Sequence, residues 1–197
     1  MKKRVFLVLL SLLLAQAARS AAPSTAELVS SRCGTCHGSE GVSTSPIFPS
    51  LAAQNREYLV KQLQEFKSKK RLSDTMAPQV ADLTEESIAA LASFFAAKPA
   101  KTNRVSDTDL LPVGRYIYTK GNSWSGVPAC VSCHGEKAYG TTSLPRLAGQ
   151  SSRYLLTQLK DFNQRTRTND NEAMHLVASR LTEMEAKAVA DYLSQLP

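Results

Sequence analysis

The sequence has few aromatic residues, few glycines and prolines, and few cysteines. Aromatics make up 7% of its 197 residues, with a single tryptophan, Trp124, and there are nine glycines and nine prolines. So few glycines and prolines exclude a collagen-like or low-complexity chain. Basic residues are not interleaved with aromatic ones, which argues against nucleic acid as a partner. The composition, 43% hydrophobic and 21% charged, fits one large or two small globular domains.

The only long hydrophobic run lies at the amino terminus. Basic residues 2–4 precede the apolar stretch 5–14, and small residues follow at 15–22. This order predicts a signal peptide over residues 1–22, removed on export to the periplasm of a Gram-negative host. The run is short for a bilayer-spanning helix, although an uncleaved leader would leave the protein anchored to the membrane.

The formal net charge of +7 is unevenly distributed. Four bases and no acid lie in the leader, so 7 − 4 leaves +3 for the rest of the chain. Residues 23–100 hold eight bases and eight acids, whereas residues 101–197 hold twelve bases and nine acids. The second half is therefore the more basic one. If this charge steers docking, salt is expected to weaken partner binding.

All four cysteines fall into two identical Cys-x-x-Cys-His motifs. Two thiols at this spacing can form thioethers with the two vinyl groups of one porphyrin, and the adjacent histidine then becomes the proximal iron ligand. Disulfides, a redox dithiol or a shared zinc ion would also use four cysteines, but none of them explains the histidine. The motifs predict two haem c groups, attached through Cys33, Cys36 and His37, and through Cys130, Cys133 and His134.

A longer internal repeat accompanies the two motifs. Residues 49–71 read PSLAAQNREYLVKQLQEFKSKKR and residues 145–167 read PRLAGQSSRYLLTQLKDFNQRTR, with ten of 23 positions identical. The chain is therefore predicted to contain two copies of one unit. Copy one spans residues 23–100 and copy two spans residues 101–197, with the boundary in the polar segment 98–107.

Each copy is predicted to be all-α, with helices around a loop-rich haem pocket and no convincing strand. Apolar residues recur at helical spacing, and Thr84 and Thr182 are expected to cap the last helix of each copy. The expected helices are Thr25–Cys33, Asn55–Lys70 and Thr84–Ala97 in copy one, and Asp109–Lys120, Ser152–Arg165 and Thr182–Leu196 in copy two.

A six-coordinate haem c needs a second axial ligand, usually methionine or histidine. Copy one, after the leader, offers only Met76, in a segment expected to be irregular. Copy two offers Met174, His175 and Met184. Met184 lies within the last helix and is expected to pack in the core. Met174 and Met76 each lie seven residues before a Leu-Thr-Glu sequence, which favours Met174, although His175 remains a competitor.

Polar positions of the repeat are candidates for the surroundings of each haem. A carbonyl near Pro49 or Pro145 could accept a hydrogen bond from the ligating histidine, although either proline could equally mark an ordinary turn. The duplicated tyrosines and arginines could contact haem propionates, or could be core tyrosines and solvent-exposed arginines; they are Tyr58, Tyr154, Arg71 and Arg167. Trp124 lies in a loop that copy one lacks, and the sequence assigns it no role.

The two haem motifs, the two Pro-x-Leu-Ala-x-Gln stretches and a methionine before each final helix make the chain resemble the di-haem cytochrome c4 family. The resemblance covers nearly all of the mature chain. It implies two tandem class I cytochrome c domains whose haems face each other across the domain interface. It also implies histidine and methionine ligation of both irons, by His37 and Met76 and by His134 and Met174.

Family resemblance further implies an electron carrier and not an enzyme. The expected partners are redox proteins such as a quinol–cytochrome c reductase and a terminal oxidase, with peripheral association with the membrane allowed. Two other functions stay open. The chain could be the haem subunit of a larger dehydrogenase, such as a sulfide-oxidising flavocytochrome, or a di-haem peroxidase, which would need an open iron site.

Overall fold

A computed structural model describes residues 23–103 and 108–197. It is helical, and within these residues there is no strand, only an isolated antiparallel bridge between Asn122 and Val127. The predicted signal peptide and part of the predicted boundary, residues 104–107, lie outside the described residues. No helix in the described part of the chain is long and apolar enough to cross a membrane.

Copy one contains five α-helices and one π-helical turn. In chain order they are α1 Thr25–Leu28, the π-helical turn Val29–Cys33, α2 Gly34–His37, α3 Arg56–Lys67, α4 Ala77–Val80 and α5 Glu85–Ala96. Copy two contains a further five helices. They are α6 Leu111–Lys120, α7 Val131–His134, α8 Ser152–Asn163, α9 Ala173–Ala178 and α10 Glu183–Gln195.

The longer helices agree with the sequence-based prediction, and their ends have identifiable causes. The hydroxyls of Thr84 and Thr182 accept the expected capping hydrogen bonds at α5 and α10. Helix α3 ends three residues and helix α8 two residues earlier than predicted, because Lys69 and Arg165 adopt left-handed backbone conformations with φ of 61° and 58°. The short helices α4 and α9 were not predicted. Each is less than two turns long and gives a weak periodic signal.

Each copy has its own hydrophobic core. In copy one, buried residues of α1, α3 and α5 surround the fully buried Ile88. In copy two, α6 crosses α10 at very close range. A Cβ at Gly114 would lie 2.0 Å from the Ala188 carbonyl oxygen, so only glycine permits this crossing. The two cores hold the Cys-x-x-Cys-His segments at fixed positions on their respective copies.

Candidate haem sites and the interface between the copies

The two Cys-x-x-Cys-His motifs have similar local structures. In copy one the π-helical turn leads into α2, and in copy two Cys130 is the N-cap of α7. No disulfide joins any of the four cysteines in the described residues, so the disulfide alternative has no support there. The described residues also contain no group of three or more His, Cys, Asp or Glu side chains that could hold a metal ion such as zinc.

Both motif histidines are buried and held by a backbone carbonyl. Nδ1 of His37 lies 2.8 Å from the Pro49 oxygen, and Nδ1 of His134 lies 3.3 Å from the Pro145 oxygen. A carbonyl can only accept, so Nδ1 carries the proton and Nε2 keeps its lone pair. Burial lowers the pKa of both imidazoles, and the hydrogen bond to the carbonyl raises it by less. Each imidazole is thus held neutral and oriented with its Nε2 lone pair free, which is the form that iron coordination requires.

The methionine predicted for each copy begins or occupies a short helix. Met76 is the N-cap of α4, and its N–H donates to Ser73 Oγ. Met76 itself lies in a turn, as expected for an irregular segment, and the unpredicted helix α4 begins directly after it. Met174 lies in the first turn of α9, and its N–H donates to Asp170 Oδ2. Both methionines are half-buried.

The competing residues of copy two are placed differently. The His175 ring is turned to the Phe162 carbonyl, with Nδ1 2.9 Å from the oxygen, so this ring already has a partner. Met184 is 56% exposed, which corrects the expectation that it packs in the core. The side chain protrudes because Met184 occupies the first turn of α10, beyond the end of the α6 crossing.

A pair of glutamines links the two copies in a reciprocal arrangement. The Gln54 side chain accepts from the Arg146 N–H at 2.7 Å and donates to the Arg146 oxygen at 2.9 Å. In the same way, Gln150 accepts from the Ser50 N–H and donates to the Ser50 oxygen, both at 2.9 Å. Gln54 and Gln150 are the same position of the repeat. The copies therefore face each other across an approximate twofold axis.

Next to the glutamine pair, the duplicated arginines exchange partners between the copies. Arg71 Nη2 donates to the Tyr154 hydroxyl, and Arg167 Nη2 donates to the Tyr58 hydroxyl, both at 3.1 Å. The side-chain oxygen of Gln62 accepts from both guanidinium groups. The sequence left open whether these arginines are solvent-exposed surface residues. They are not, since Arg71 is half-buried and Arg167 is buried.

Neither of these two guanidinium groups donates a hydrogen bond to a carboxylate in the described residues. Their hydrogen-bond acceptors in the described residues are neutral oxygens of Gln62, Gln158, Asn169 and the two tyrosines. Burial raises the pKa of the Tyr154 hydroxyl, but the positive charges of Arg71 and Arg167 outweigh it and hold the pKa below its usual range. The buried Gln62 Nε2 has no hydrogen-bond acceptor within residues 23–103 and 108–197. Like charges and a free donor at one place fit an anionic group such as a haem carboxylate.

The sequence did contain the signal for this interface. Four of the ten identical positions of the repeat carry a polar side chain. They are Gln54 and Gln150, Tyr58 and Tyr154, Gln62 and Gln158, and Arg71 and Arg167. All eight residues lie in the contact between the copies. Polar residues that recur at one spacing in both copies indicate a shared surface, because solvent-exposed positions are free to diverge.

The fold and the sites define a class of protein, a c-type cytochrome with two haem-binding copies. The cytochrome c family model matches residues 114–197, and the model for cytochrome c oxidase, cbb3-type, subunit III matches residues 20–95. The solved structure of reduced recombinant cytochrome c4 from Pseudomonas stutzeri superimposes with a TM-score of 0.82 at 30% identity, covering 89% of this chain and 100% of that one.

Two relatives show which family of c-type cytochromes the chain belongs to. Cytochrome c4 of Thiocapsa roseopersicina is 40% identical over 83% of this chain and 86% of its own length. A thiosulfate dehydrogenase electron acceptor of Stutzerimonas stutzeri is 35% identical over 83% of this chain and 78% of its own length. The chain belongs to the cytochrome c4 family. It therefore has the di-haem cytochrome c4 fold, carries two covalently bound haem c groups and is an electron carrier, not an enzyme.

Proposed function

We propose that the protein is exported to the periplasm and carries electrons from a quinol–cytochrome c reductase to a terminal oxidase. The observation that carries this proposal is the pair of buried, carbonyl-held histidines, each followed by a half-buried methionine. Haem supplies a reversible one-electron change at its iron. Ligation of that iron by histidine and methionine from the protein leaves no position for a substrate, and methionine raises the reduction potential.

The ligand sets follow from the same residues. Cys33 and Cys36 hold the first haem and Cys130 and Cys133 the second, as thioethers. His37 with Met76 would ligate one iron, and His134 with Met174 would ligate the other. Support for Met174 comes from its position in the first turn of α9 and from the engagement of the His175 ring with Phe162. The residue chemistry fits two haem groups, with no acidic side chain directed at either histidine Nδ1.

The domain division follows the repeat. Residues 1–22 form the signal peptide, residues 23–100 the first cytochrome domain and residues 101–197 the second. The separate hydrophobic cores of the two copies support this division. In the interface, Arg71, Arg167 and the free Gln62 Nε2 are the groups that would hold haem propionates, because they offer positive charge and hydrogen-bond donors without a carboxylate of their own.

A second donor is supported by one relative. The Stutzerimonas stutzeri protein of 35% identity is a thiosulfate dehydrogenase electron acceptor. The two haem sites of this chain would accept electrons from such a dehydrogenase in place of a quinol–cytochrome c reductase. The terminal electron acceptor would be unchanged.

The test has two stages. Acid–acetone extraction and intact mass measurement should leave two haem masses on the polypeptide, and the oxidised protein should show low-spin iron with methionine absorption. Respiratory membranes with quinol, or purified thiosulfate dehydrogenase with thiosulfate, are then compared as reductants of the oxidised protein. Haem that is removed by the extraction would contradict covalent attachment through the two pairs of cysteines. Failure with both reductants would contradict the proposed donors.

A further inference from the structure

Trp124, the only tryptophan of the chain, lies on a hairpin that copy one lacks. Its side chain is 98% exposed, the highest value among the large hydrophobic residues that are exposed. Single exposed leucines are common on protein surfaces, but tryptophan is usually largely buried because of its apolar area. Full exposure of the indole therefore calls for an explanation that the haem sites do not supply.

The hairpin holds Trp124 in a fixed position. Asn122 and Val127 exchange two backbone hydrogen bonds of 2.8 and 2.9 Å, and Asn122 Oδ1 accepts from the Trp124 N–H at 3.0 Å. Gly121 has a φ of 71°, and a Cβ there would lie 2.2 Å from the Val127 oxygen. The turn is therefore specific to its sequence and closely packed.

Two further contacts fix the hairpin to copy two. Asn122 Nδ2 donates to Glu185 Oε1 at 2.7 Å, and Arg180 Nη1 donates to the Gly126 oxygen at 3.2 Å. A side chain presented on such an anchored loop loses little backbone freedom on binding. This is the arrangement expected of a binding residue and not of a mobile loop tip.

Two cations and an exposed methionine flank the hairpin, through the chain or through contacts at its base. Lys120 ends α6 just before the hairpin, and Arg180 lies along Gly126. Met184 is 56% exposed and directly precedes Glu185, which accepts a hydrogen bond from Asn122 of the hairpin. Lys120, Trp124, Arg180 and Met184 are called the Trp124 surface below. Glu183, which directly precedes Met184 in the chain, is an exposed acidic residue.

We propose that the Trp124 surface is the docking site for a redox partner protein whose own surface has an apolar pocket rimmed by carboxylates. The proposal rests on the electron-carrier function proposed above and names the partner chemistry. Tryptophan and arginine are the residues most enriched at the energetic centres of protein interfaces. The excess of three positive charges in residues 101–197 matches an acidic partner.

A protein partner is favoured over a lipid surface. Lipid-binding sites display clusters of about four to eight lysines and arginines. The Trp124 surface has two cations with Glu183 beside them. A bound protein would lie next to the haem-attachment segment of copy two, since exposed Pro128 follows the hairpin directly and precedes Cys130 by two residues.

The test measures both electron-transfer half-reactions with respiratory membranes of the host organism. One is oxidation of the ascorbate-reduced protein, and the other is reduction of the oxidised protein by quinol with the oxidase inhibited. Trp124→Ala should raise the KM for the protein about tenfold or more in at least one half-reaction, as expected for an interface hot spot. The double variant Lys120→Glu with Arg180→Glu should raise the same KM and reduce its dependence on salt.

Leu72→Ala is the matched control, because Leu72 is 73% exposed on copy one. It should leave both KM values unchanged. Haem spectra and thermal unfolding of Trp124→Ala should equal those of the wild type, since a 98% exposed side chain adds little to the fold. An unchanged KM for Trp124→Ala, with an active wild type, would overturn the docking site alone. A wild type that reacts in neither half-reaction would overturn the proposed function and this inference with it.

A vesicle-binding experiment distinguishes a protein partner from a lipid surface. Co-sedimentation with protein-free vesicles of phosphatidylethanolamine and phosphatidylglycerol should leave the wild-type protein in the supernatant. Binding of the wild type that is lost in Trp124→Ala would show a lipid contact and would overturn the protein-partner proposal.

Discussion

Copies one and two share the residues that hold the haem-motif histidines and the glutamine contact, and differ at positions of the outer surface. The histidine, the proline carbonyl and the interface glutamine recur in both copies with the same contacts. On the outer surface, copy one has the exposed Leu72 where copy two has Thr168 at the same repeat position. Copy two has the Trp124 hairpin. Duplication has thus kept the haem surroundings and the contact between the copies, while the outer surfaces have become different.

The interface itself is less symmetric than the sequence repeat. Arg167 is buried, whereas Arg71 is half-buried. Asn169, which stands at the repeat position of Ser73, accepts from Arg167 Nε at 2.9 Å and donates to Glu65 at 2.6 Å. One arginine is therefore connected to a buried carboxylate through an asparagine of copy two. The other arginine has no such connection.

The largest expected effect comes from removing one haem attachment at a time. Cys33→Ser with Cys36→Ser should leave one haem mass on the chain, and Cys130→Ser with Cys133→Ser should do the same. Each copy should lose only its own haem because each has a separate core. Intact mass after acid–acetone extraction is the measurement. Loss of both haems in either variant would show that the copies do not mature independently.

Axial-ligand variants should also act on one copy only. Met76→Ala and Met174→Ala should each abolish the methionine–ferric iron absorption of one haem and lower its potential, leaving the other haem unchanged. His175→Ala should keep both absorptions, since its ring is bound to the Phe162 carbonyl. Spectroelectrochemical titration measures the potentials. An essential His175 and a dispensable Met174 would reverse the ligand assignment in copy two.

Replacing Arg167 should lower the unfolding free energy more than replacing Arg71, because the two arginines differ in burial. Arg167→Met removes the donor to the Asn169 side-chain oxygen and to the Tyr58 hydroxyl, whereas Gln62 and Gln158 still accept from Arg71. Two acceptors left without this donor at a buried site should cost about 3 kcal/mol of unfolding free energy. Arg71→Met, at the half-buried site, should cost about 1.5 kcal/mol. Denaturant unfolding of the haem-loaded proteins measures both. Equal losses would mean that the structural asymmetry has no energetic consequence.

The sequence predicted the haem motifs, the repeat and the five longer helices, because each rests on local chemistry or on a long periodic pattern. The predicted helix Thr25–Cys33 is instead a four-residue α-helix followed by a π-helical turn. It predicted the carbonyl partners of His37 and His134 only as one of two alternatives, which the structure resolves. It did not place Arg71 and Arg167. Their exchange of tyrosines depends on how the two copies face each other, and no local pattern encodes that orientation. Asn169 gave no signal at all, because copy one has Ser73 at its position.

The smallest expected effect concerns the buried carboxylate of Glu65. Burial raises the pKa of this group, but hydrogen bonds from Lys61, Asn169 and Lys70 outweigh it, so the pKa lies below its ordinary value of 4.5. A lowered pKa in the folded state means that the stability from the carboxylate is complete above the unfolded pKa and is lost as the pH falls through the folded one. Wild-type stability should therefore decline below about pH 4.5 by roughly 1 kcal/mol more than that of Glu65→Gln.

Unfolding free energies of the wild type, Glu65→Gln and Glu57→Gln, measured from neutral pH down to acid, test this step. Glu57 lies on the same helix but is exposed, with its carboxylate near Arg56, so its variant should follow the wild-type curve. The difference between wild type and Glu65→Gln should shrink as the pH falls, because protonation gives the wild type the same neutral side chain. A difference that stays constant with pH would mean that Glu65 contributes shape and not charge. The link from Arg167 through Asn169 would then be a neutral hydrogen-bond chain, and the asymmetry between the two arginines would depend on burial alone.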